Sequence, residues 1–249
     1  MKLKKRLDIL LCNFPLLYLV VAKMFKRESF SQKVPYLKYV KKGFVALDIG
    51  ANNGIVSLLL SCLVGRKGKV HAFEPIPATF ALLEEYVSKY FVYNNYQLHN
   101  CAISDKEEKV NILIPGNDYG QASMKTHESG SWKDQSSIQV VEVDSKKIDG
   151  FEGRLGKVDF IKIDIEGAEL LALKGAHQLI LTYKPILYLE VYQEWTKEFG
   201  YSPVDLYDYI RSLGYSKIWA YSHFHFVDIS DNKAYLENQL NSIDILCLA

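Results

Sequence analysis

The densest run of chemistry-bearing side chains is Phe160-Ile161-Lys162-Ile163-Asp164-Ile165-Glu166-Gly167-Ala168-Glu169. Side chains alternate between the two faces of a strand, so Lys162, Asp164 and, if the strand continues, Glu166 share one side, opposite Ile161, Ile163 and Ile165. Burying that much polarity in a central strand is costly unless it is used. The carboxyl ends of strands are also where open α/β sheets bind ligands. A carboxylate placed there can take the proton of a hydroxyl nucleophile. Asp164 is the first candidate for that base or for orienting the hydroxyl. Glu190, at the end of the run 185–191, is the second, because adjacent strand ends open onto one crevice; Glu166 completes the catalytic set. Other readings stand beside these. Glu166 and Glu169 can cap the helix that follows through its dipole, which is the main expectation for Glu169. Lys162 can pair with a carboxylate and do nothing chemical. Asp164 and Glu190 could hold Mg²⁺ or Ca²⁺, but two carboxylates are too few to assign a metal, and none is expected. His127, His223 and His225 are reserve bases.

A second constellation is Leu47-Asp48-Ile49-Gly50-Ala51-Asn52-Asn53-Gly54, at the end of an apolar run and before a helical one. Glycines there let the backbone turn tightly and approach a ligand. The spacing is G-x-x-x-G and not the G-x-G-x-x-G of a dinucleotide fingerprint, which counts against a nicotinamide cofactor. Asp48 suits a ligand carrying a cationic amino group. Glu74, in Phe73-Glu74-Pro75, stands where doubly wound folds bind a ribose diol. Together the two motifs suggest a nucleoside with an amino-acid-like end, and S-adenosyl-L-methionine has both parts. Each alone has a plain reading, as a strand-to-helix connection and a strand terminus.

The run 48–57, then Phe73-Glu74-Pro75-Ile76-Pro77, then 161–169 and Leu173-Lys174-Gly175-Ala176 resembles the FkbM family of S-adenosylmethionine-dependent methyltransferases. The resemblance covers roughly 43–191 and rests on the order and spacing of three motifs. It implies a Rossmann-like class I methyltransferase sheet, seven-stranded and mostly parallel with one antiparallel strand, and O-methylation, often of a sugar hydroxyl on a glycan, glycolipid or natural product. It places Asp48, Gly50, Asn52 and Gly54 around the methionine portion, Glu74 at the ribose and Ala102 by the adenine, with Ala51 and Ser57 also among the cofactor-binding residues. Methyl transfer from a sulfonium is an in-line displacement that chiefly needs alignment. The stretch 143–149 matches the family pattern loosely, and the tail after Tyr192 carries no family signature.

The elements that would position these residues follow from periodicity. Strands are expected at 44–49, 69–73, 96–102, 110–114, 138–143, 158–164 and 186–191, with helices at 55–64, 78–90 and 168–181 between them. That alternation is the signature of βαβ units, an α/β sheet covered by helices on both faces. A helix at 206–213 and late strands at 217–220, 224–229 and 243–248, including an antiparallel pair, complete the chain. The 23 residues 115–137 are rich in Gly, Ser, Asn and Asp. Structureless stretches beyond ~12–15 residues are usually lids or disordered, so this one is expected to be a mobile substrate-side loop within a domain spanning 43–249.

Composition bounds the rest. The chain has 249 residues, 49% hydrophobic and 24% charged, as an ordinary globular chain does, against a prior of roughly 150 residues per domain. A net charge of +1 gives no global pull toward nucleic acid. Four scattered cysteines without C-x-x-C indicate neither disulfides nor a structural metal, which suggests a reduced, cytoplasmic setting. Segment 1–42 is expected to be a helical extension. Its apolar stretch 7–22 is shorter than a ~20-residue span and is broken by Pro15. It reads as a helix packed on the domain or as a peripheral, interfacial helix with its basic flanks on anionic headgroups. The expected partner is a carbohydrate or small-molecule acceptor. The alternative is a non-catalytic protein that keeps the fold and binds membrane or a partner.

Overall fold

The computed structural model describes residue 14 and residues 32–249, apart from positions 92, 152, 223 and 240. The apolar stretch 7–22 and His223 therefore lie, but for residue 14, outside the described residues. The main sheet contains β1 (Val45–Ile49), β2 (Lys69–Phe73), β3 (Tyr96–His99), β7 (Phe160–Ile163), β8 (Ile186–Val191), β9 (Lys217–Ser222), β10 (His225–Asp228) and β11 (Ile243–Leu248). Its order is β10-β9-β11-β8-β7-β1-β2-β3. The five strands from β3 to β8 are parallel, whereas β11 runs against both β8 and β9, and β10 runs against β9. The sheet thus has eight strands, two of them reversed, where seven with one reversed were expected. The added strand is β10, a short and largely exposed strand that pairs with the outer edge of β9.

Both faces are covered. Helices α1 (Val34–Tyr39), α2 (Ile55–Val64) and α3 (Pro77–Tyr90) pack on one side, where Tyr36, Leu58, Leu59 and Leu63 meet Ala46, Val70, Phe160 and Tyr188. On the other side lie α4 (Glu169–Gly175), α5 (His177–Tyr183), α7 (Pro203–Ser212) and α8 (Ala234–Glu237). There Leu173, Ile180, Leu206 and Ile210 cover Leu47, Ile161, Ile163 and Leu189. A short helix, α6 (Gln193–Thr196), follows β8. Tyr36 and Val40, from the stretch read as an extension, are part of the core.

Two expected elements are divided. The run 96–102 ends as a strand at His99, because the Asn100 side chain donates to the carbonyls of Glu74 (2.9 Å) and Pro75 (3.0 Å) and turns the chain away. Residues 102–103 then start a second sheet, β4 (Ala102–Ile103), β5 (Lys109–Pro115) and β6 (Ile138–Lys146), ordered β4-β6-β5. The expected helix 168–181 breaks at Ala176. At Gly175 a side chain would begin 2.0 Å from the Ser104 carbonyl oxygen, so α4 runs flush against the chain leaving β4. Helix α5 starts afresh with its Gln178 and Leu179 amides capped by the Asp149 carboxylate at 3.0 and 2.9 Å.

Stretch 115–137 is not structureless. It contains three turns of 3₁₀ helix, a bridge between Leu113 and Ser123, and the fully buried Trp132. Single large anchors hold it, which no periodicity reveals. Among the described residues no helix is long and apolar enough to cross a membrane.

Candidate functional site

At the carboxyl ends of β1, β2 and β7 lies an open cleft. Gly50, Asn52, Glu74, Ala102, Asp164 and Glu166 line it, joined by Phe73, Ile76, Cys101, Ile103 and Ile112. The turn after β1 forms the floor. The amides of Gly50 and Ala51 both donate to the Phe73 carbonyl (3.1 and 2.9 Å), which ties that turn to the end of β2. Gly50 has φ +80°, and a Cβ there would sit 1.9 Å from the Asp164 carbonyl oxygen, so the turn after β1 and the chain leaving β7 touch backbone to backbone.

Glu74 is 5% exposed. Its carboxylate accepts from the amides of Asn52 (2.9 Å) and Ile76 (3.0 Å), which lock it between the β1 turn and the start of α3. Burial outweighs these bonds and pushes its pKa up to about 7. The lining beside it is apolar at Phe73, Ile76, Ala102, Ile103 and Ile112, of which Ile76, Ala102 and Ile112 pack together, and polar at Asn52 and Asp164.

Asp48, Ala51, Gly54 and Ser57 lie behind this lining. Asp48 is fully buried and accepts a 2.5 Å bond from the Ser57 hydroxyl of α2. Gly54 caps α2 with φ +83° beneath Leu83, and Ala51 packs with Leu83 and Val87. These residues shape the turn from below.

Parallel register brings Lys162 level with Asp48 across β1 and β7. The Lys162 ammonium donates to the carbonyls of Gly50 (2.7 Å) and Ile49 (3.3 Å) and lies 3.3 Å from Asp48 and 3.4 Å from Asp164. Burial by itself would push this amine down, but Asp164 and Asp48 outweigh it and hold its pKa above the ordinary value. Asp164 differs from its partners in facing outward: its side chain is 41% exposed, against 5% for Lys162 and 0% for Asp48.

Strand β7 stops at Ile163, so Glu166 does not reach the crevice along a continuing strand. It sits in the following turn at φ +57°, and its backbone carbonyl accepts from the Ser123 hydroxyl at 2.8 Å. The turn nonetheless delivers its carboxyl to within 4.8 Å of Asp164 and Glu190. Burial, then Asp164 and Glu190, push Glu166 up to about 11. Burial, then Asp164 and Asp244, also hold Glu190 well above the carboxylate range, and its carboxyl hydrogen-bonds Asp164. Of these three carboxyls it is Asp164 that pairs with the Lys162 ammonium. Glu169 is turned away from the cleft. It accepts from the amides of Ile165 (3.2 Å) and Gly167 (3.1 Å) and from the Tyr201 hydroxyl (3.2 Å), bracing the turn before α4.

The roof comes from stretch 115–137, through Tyr119, Gly120, Ala122, Ser123 and Met124. Behind it His127 is 1% exposed, stacked on Trp195 (4.9 Å between ring centres) and edge-on to Trp132 (5.3 Å). The Trp132 indole donates to the Gln121 carbonyl (3.1 Å) and that of Trp195 to the Ser129 hydroxyl (3.2 Å). Reading the sequence did not find Tyr119, Met124 or Ile112 as cleft residues, since single side chains in a loop and an edge sheet carry no periodic signal. His225 lies exposed on β10, away from the cleft lining.

The sequence profile of the methyltransferase FkbM domain matches residues 48–217. Methyltransferase 1 of Beauveria bassiana is 29% identical over 143 residues, which are 52% of this chain and 57% of that protein. The crystal structure of methyltransferase FkbM from Methylobacillus flagellatus superposes with a TM-score of 0.55 at 19% identity, covering 88% of this chain and 50% of that one. The chain therefore spans about half the length of these relatives, and at that identity the structural likeness speaks for the fold. With two thirds of its length inside the matched region, the chain belongs to the FkbM methyltransferase domain family.

Proposed function

We propose that this protein is an S-adenosyl-L-methionine-dependent methyltransferase acting on a hydroxyl of a carbohydrate or related acceptor. The observation that carries this reading is the locked carboxylate of Glu74, which lines one cleft together with apolar side chains and the outward-facing Asp164. The residues fit the cofactor part by part. Phe73, Ile76, Ala102, Ile103 and Ile112 suit a flat base, and Glu74 has lone pairs left for a ribose diol. Asn52, the turn at Gly50 and Asp164 suit the zwitterionic, cationic end, with Asp48, Ala51, Gly54 and Ser57 holding that turn from behind. When bound, S-adenosylmethionine supplies an electrophilic methyl group on a sulfonium.

Asp164 is the base this reading favours. It is exposed to the cleft and faces a fixed ammonium, whereas burial keeps Glu166 and Glu190 protonated. Asp164 would accept the proton of the acceptor hydroxyl as that oxygen takes the methyl group the cofactor would supply. Protonated Glu190, hydrogen-bonded to Asp164, orients that carboxylate, and Glu166 closes the far wall. Roof residues Tyr119 and Met124 exclude water. The saccharide assignment is supported by the family's usual chemistry.

The test is calorimetric titration of S-adenosylmethionine into the wild type and Glu74→Ala, with NADH as control. Losing a charged contact to the ribose should cost about 1.5–3 kcal/mol, roughly tenfold to a hundredfold in affinity. A wild type that binds NADH and not S-adenosylmethionine would overturn the reading. Screening glycan acceptors for S-adenosylhomocysteine release then decides the acceptor class.

A further inference from the structure

Lys162 is a buried cation that four separate groups hold in place, and none of the chemistry above uses it directly. Its ammonium contacts the side chains of Asp48 and Asp164 and the carbonyls of Ile49 and Gly50, all within 3.4 Å. A lysine whose task was packing or solubility would not be placed in the sheet interior, where a charge is tolerated only if it is paired and hydrogen-bonded. Two of its contacts are to the turn that floors the cleft, and a third is to Asp164, whose side chain is 41% exposed. We propose that Lys162 is a positioning residue, a single clamp that fixes both the cofactor-binding turn at Gly50 and the orientation and charge of Asp164. This rests on the cofactor and base assignments of the preceding section.

The physical case is one of charge balance. Carboxyl groups face this ammonium from several elements: Asp48 from β1, Glu74 from the end of β2, Asp164 and Glu166 from the turn after β7, and Asp244 from β11. Glu190 of β8 reaches the same cluster through Asp164, and the Tyr36 hydroxyl of α1 faces Asp244, Asp48, Asp164 and Glu190. Without the ammonium, this cluster of carboxyls would lose the cation that Asp48 and Asp164 both contact, and the cluster would take up a proton in its place. The Gly50 carbonyl would also lose its 2.7 Å donor, freeing the turn that binds the cofactor's charged end.

The experiment is calorimetry with S-adenosylmethionine on the wild type, Lys162→Met, Asp48→Asn and the double variant, each in two buffers of different ionisation heat so that protons are counted. Circular dichroism reports folding in parallel. The clamp predicts that Lys162→Met binds tenfold to a hundredfold more weakly and releases about one more proton per cofactor bound than the wild type, because the cationic ligand expels the proton that replaced the ammonium. The double variant relieves the unpaired Asp48 and should fold even if the single variant does not. It should still show the weaker binding and the extra proton relative to Asp48→Asn. A purely structural lysine would lower the melting temperature and leave affinity within threefold and the proton count unchanged, and that result overturns the proposal. Should neither variant fold, the protected ¹⁵Nζ ammonium signal of Lys162 in wild-type protein must shift on adding S-adenosylmethionine; an unmoved signal also overturns it. A wild type that does not bind the cofactor at all sinks the functional reading itself, which is a distinguishable outcome.

Discussion

Burial and the cofactor compete for the charge on Glu74, and their balance fixes a pH dependence. Its carboxyl is raised from 4.5 to about 7 by desolvation, against the two amide bonds that favour the anion. At 1.36 kcal/mol per pH unit, the folded protein disfavours the carboxylate by about 3 kcal/mol relative to water. The sign for folding follows: between about 4.5 and 7 the native state keeps a proton that the unfolded chain has lost. Stability from this group therefore declines as pH rises through that window and levels off above 7. Cofactor binding should run the other way, because a ribose diol donates to the carboxylate. About a tenth of Glu74 is ionised one pH unit below its pKa, so affinity at pH 6 should be roughly tenfold below its plateau. Titrating S-adenosylmethionine calorimetrically from pH 5.5 to 7.5 reads the slope. Glu169 and Asp244 are also pushed up to about 7, so the control is Glu74→Gln, which should bind more weakly and lose the slope. A flat wild-type profile, or a slope that persists in Glu74→Gln, would refute the assignment of Glu74 to the ribose.

Three further outcomes are expected. Gly50→Ala combines a positive φ with a Cβ placed against the Asp164 carbonyl, so denaturation should show a loss of about 3–5 kcal/mol; a loss under about 1 kcal/mol would mean that the β1 and β7 turns are not in backbone contact. Trp132→Ala empties the anchor of the roof and should cost about 3–5 kcal/mol in the same assay, with amide exchange at 119–132 accelerated more than in the sheet. Burial holds the His127 ring down to about 4, so its neutral form supports the fold above 6.5 and that support is lost as pH falls toward 4. Amide protection of the roof should fall with acidification across that range, by at most tenfold per pH unit, and should stay level in His127→Phe; equal slopes in both proteins would remove His127 from the explanation.

Much of the site could be read before the fold was known, and the reason is geometric. Asp48, Lys162, Asp164 and Glu190 each stand on or just past a parallel strand with two-residue alternation, and neighbouring strands lie in register. Reading the period therefore places all four on the face covered by α1 and α2. Glu166 shows where that reasoning stops. A positive φ at a residue other than glycine is imposed by the contacts around it, and the neighbouring Gly167 was the one local sign of a turn. The division of 96–102 depended on Asn100 bonding to carbonyls twenty-five residues away, a tertiary event. The roof escaped for a similar reason: Trp132, His127 and Trp195 are isolated in sequence and meet in space. Strand β10 was foreseen as a strand, but the order of late strands in a sheet is set by pairing partners and not by composition.

The seam between His127 and Trp195 bears on how this domain could be recombined with its relatives. The roof contributes Ser129 and the stacked imidazole, and the segment after β8 contributes the indole that receives both. Residues 119–132 and 192–199 are therefore halves of one cassette, although sixty residues of sheet and helix separate them in the chain. A chimera that imports a foreign roof alone would leave the Trp195 indole facing the wrong surface, whereas one that moves both halves together keeps the joint intact. Roof geometry is thus expected to transfer between family members as a two-part graft and to fail as a single loop exchange.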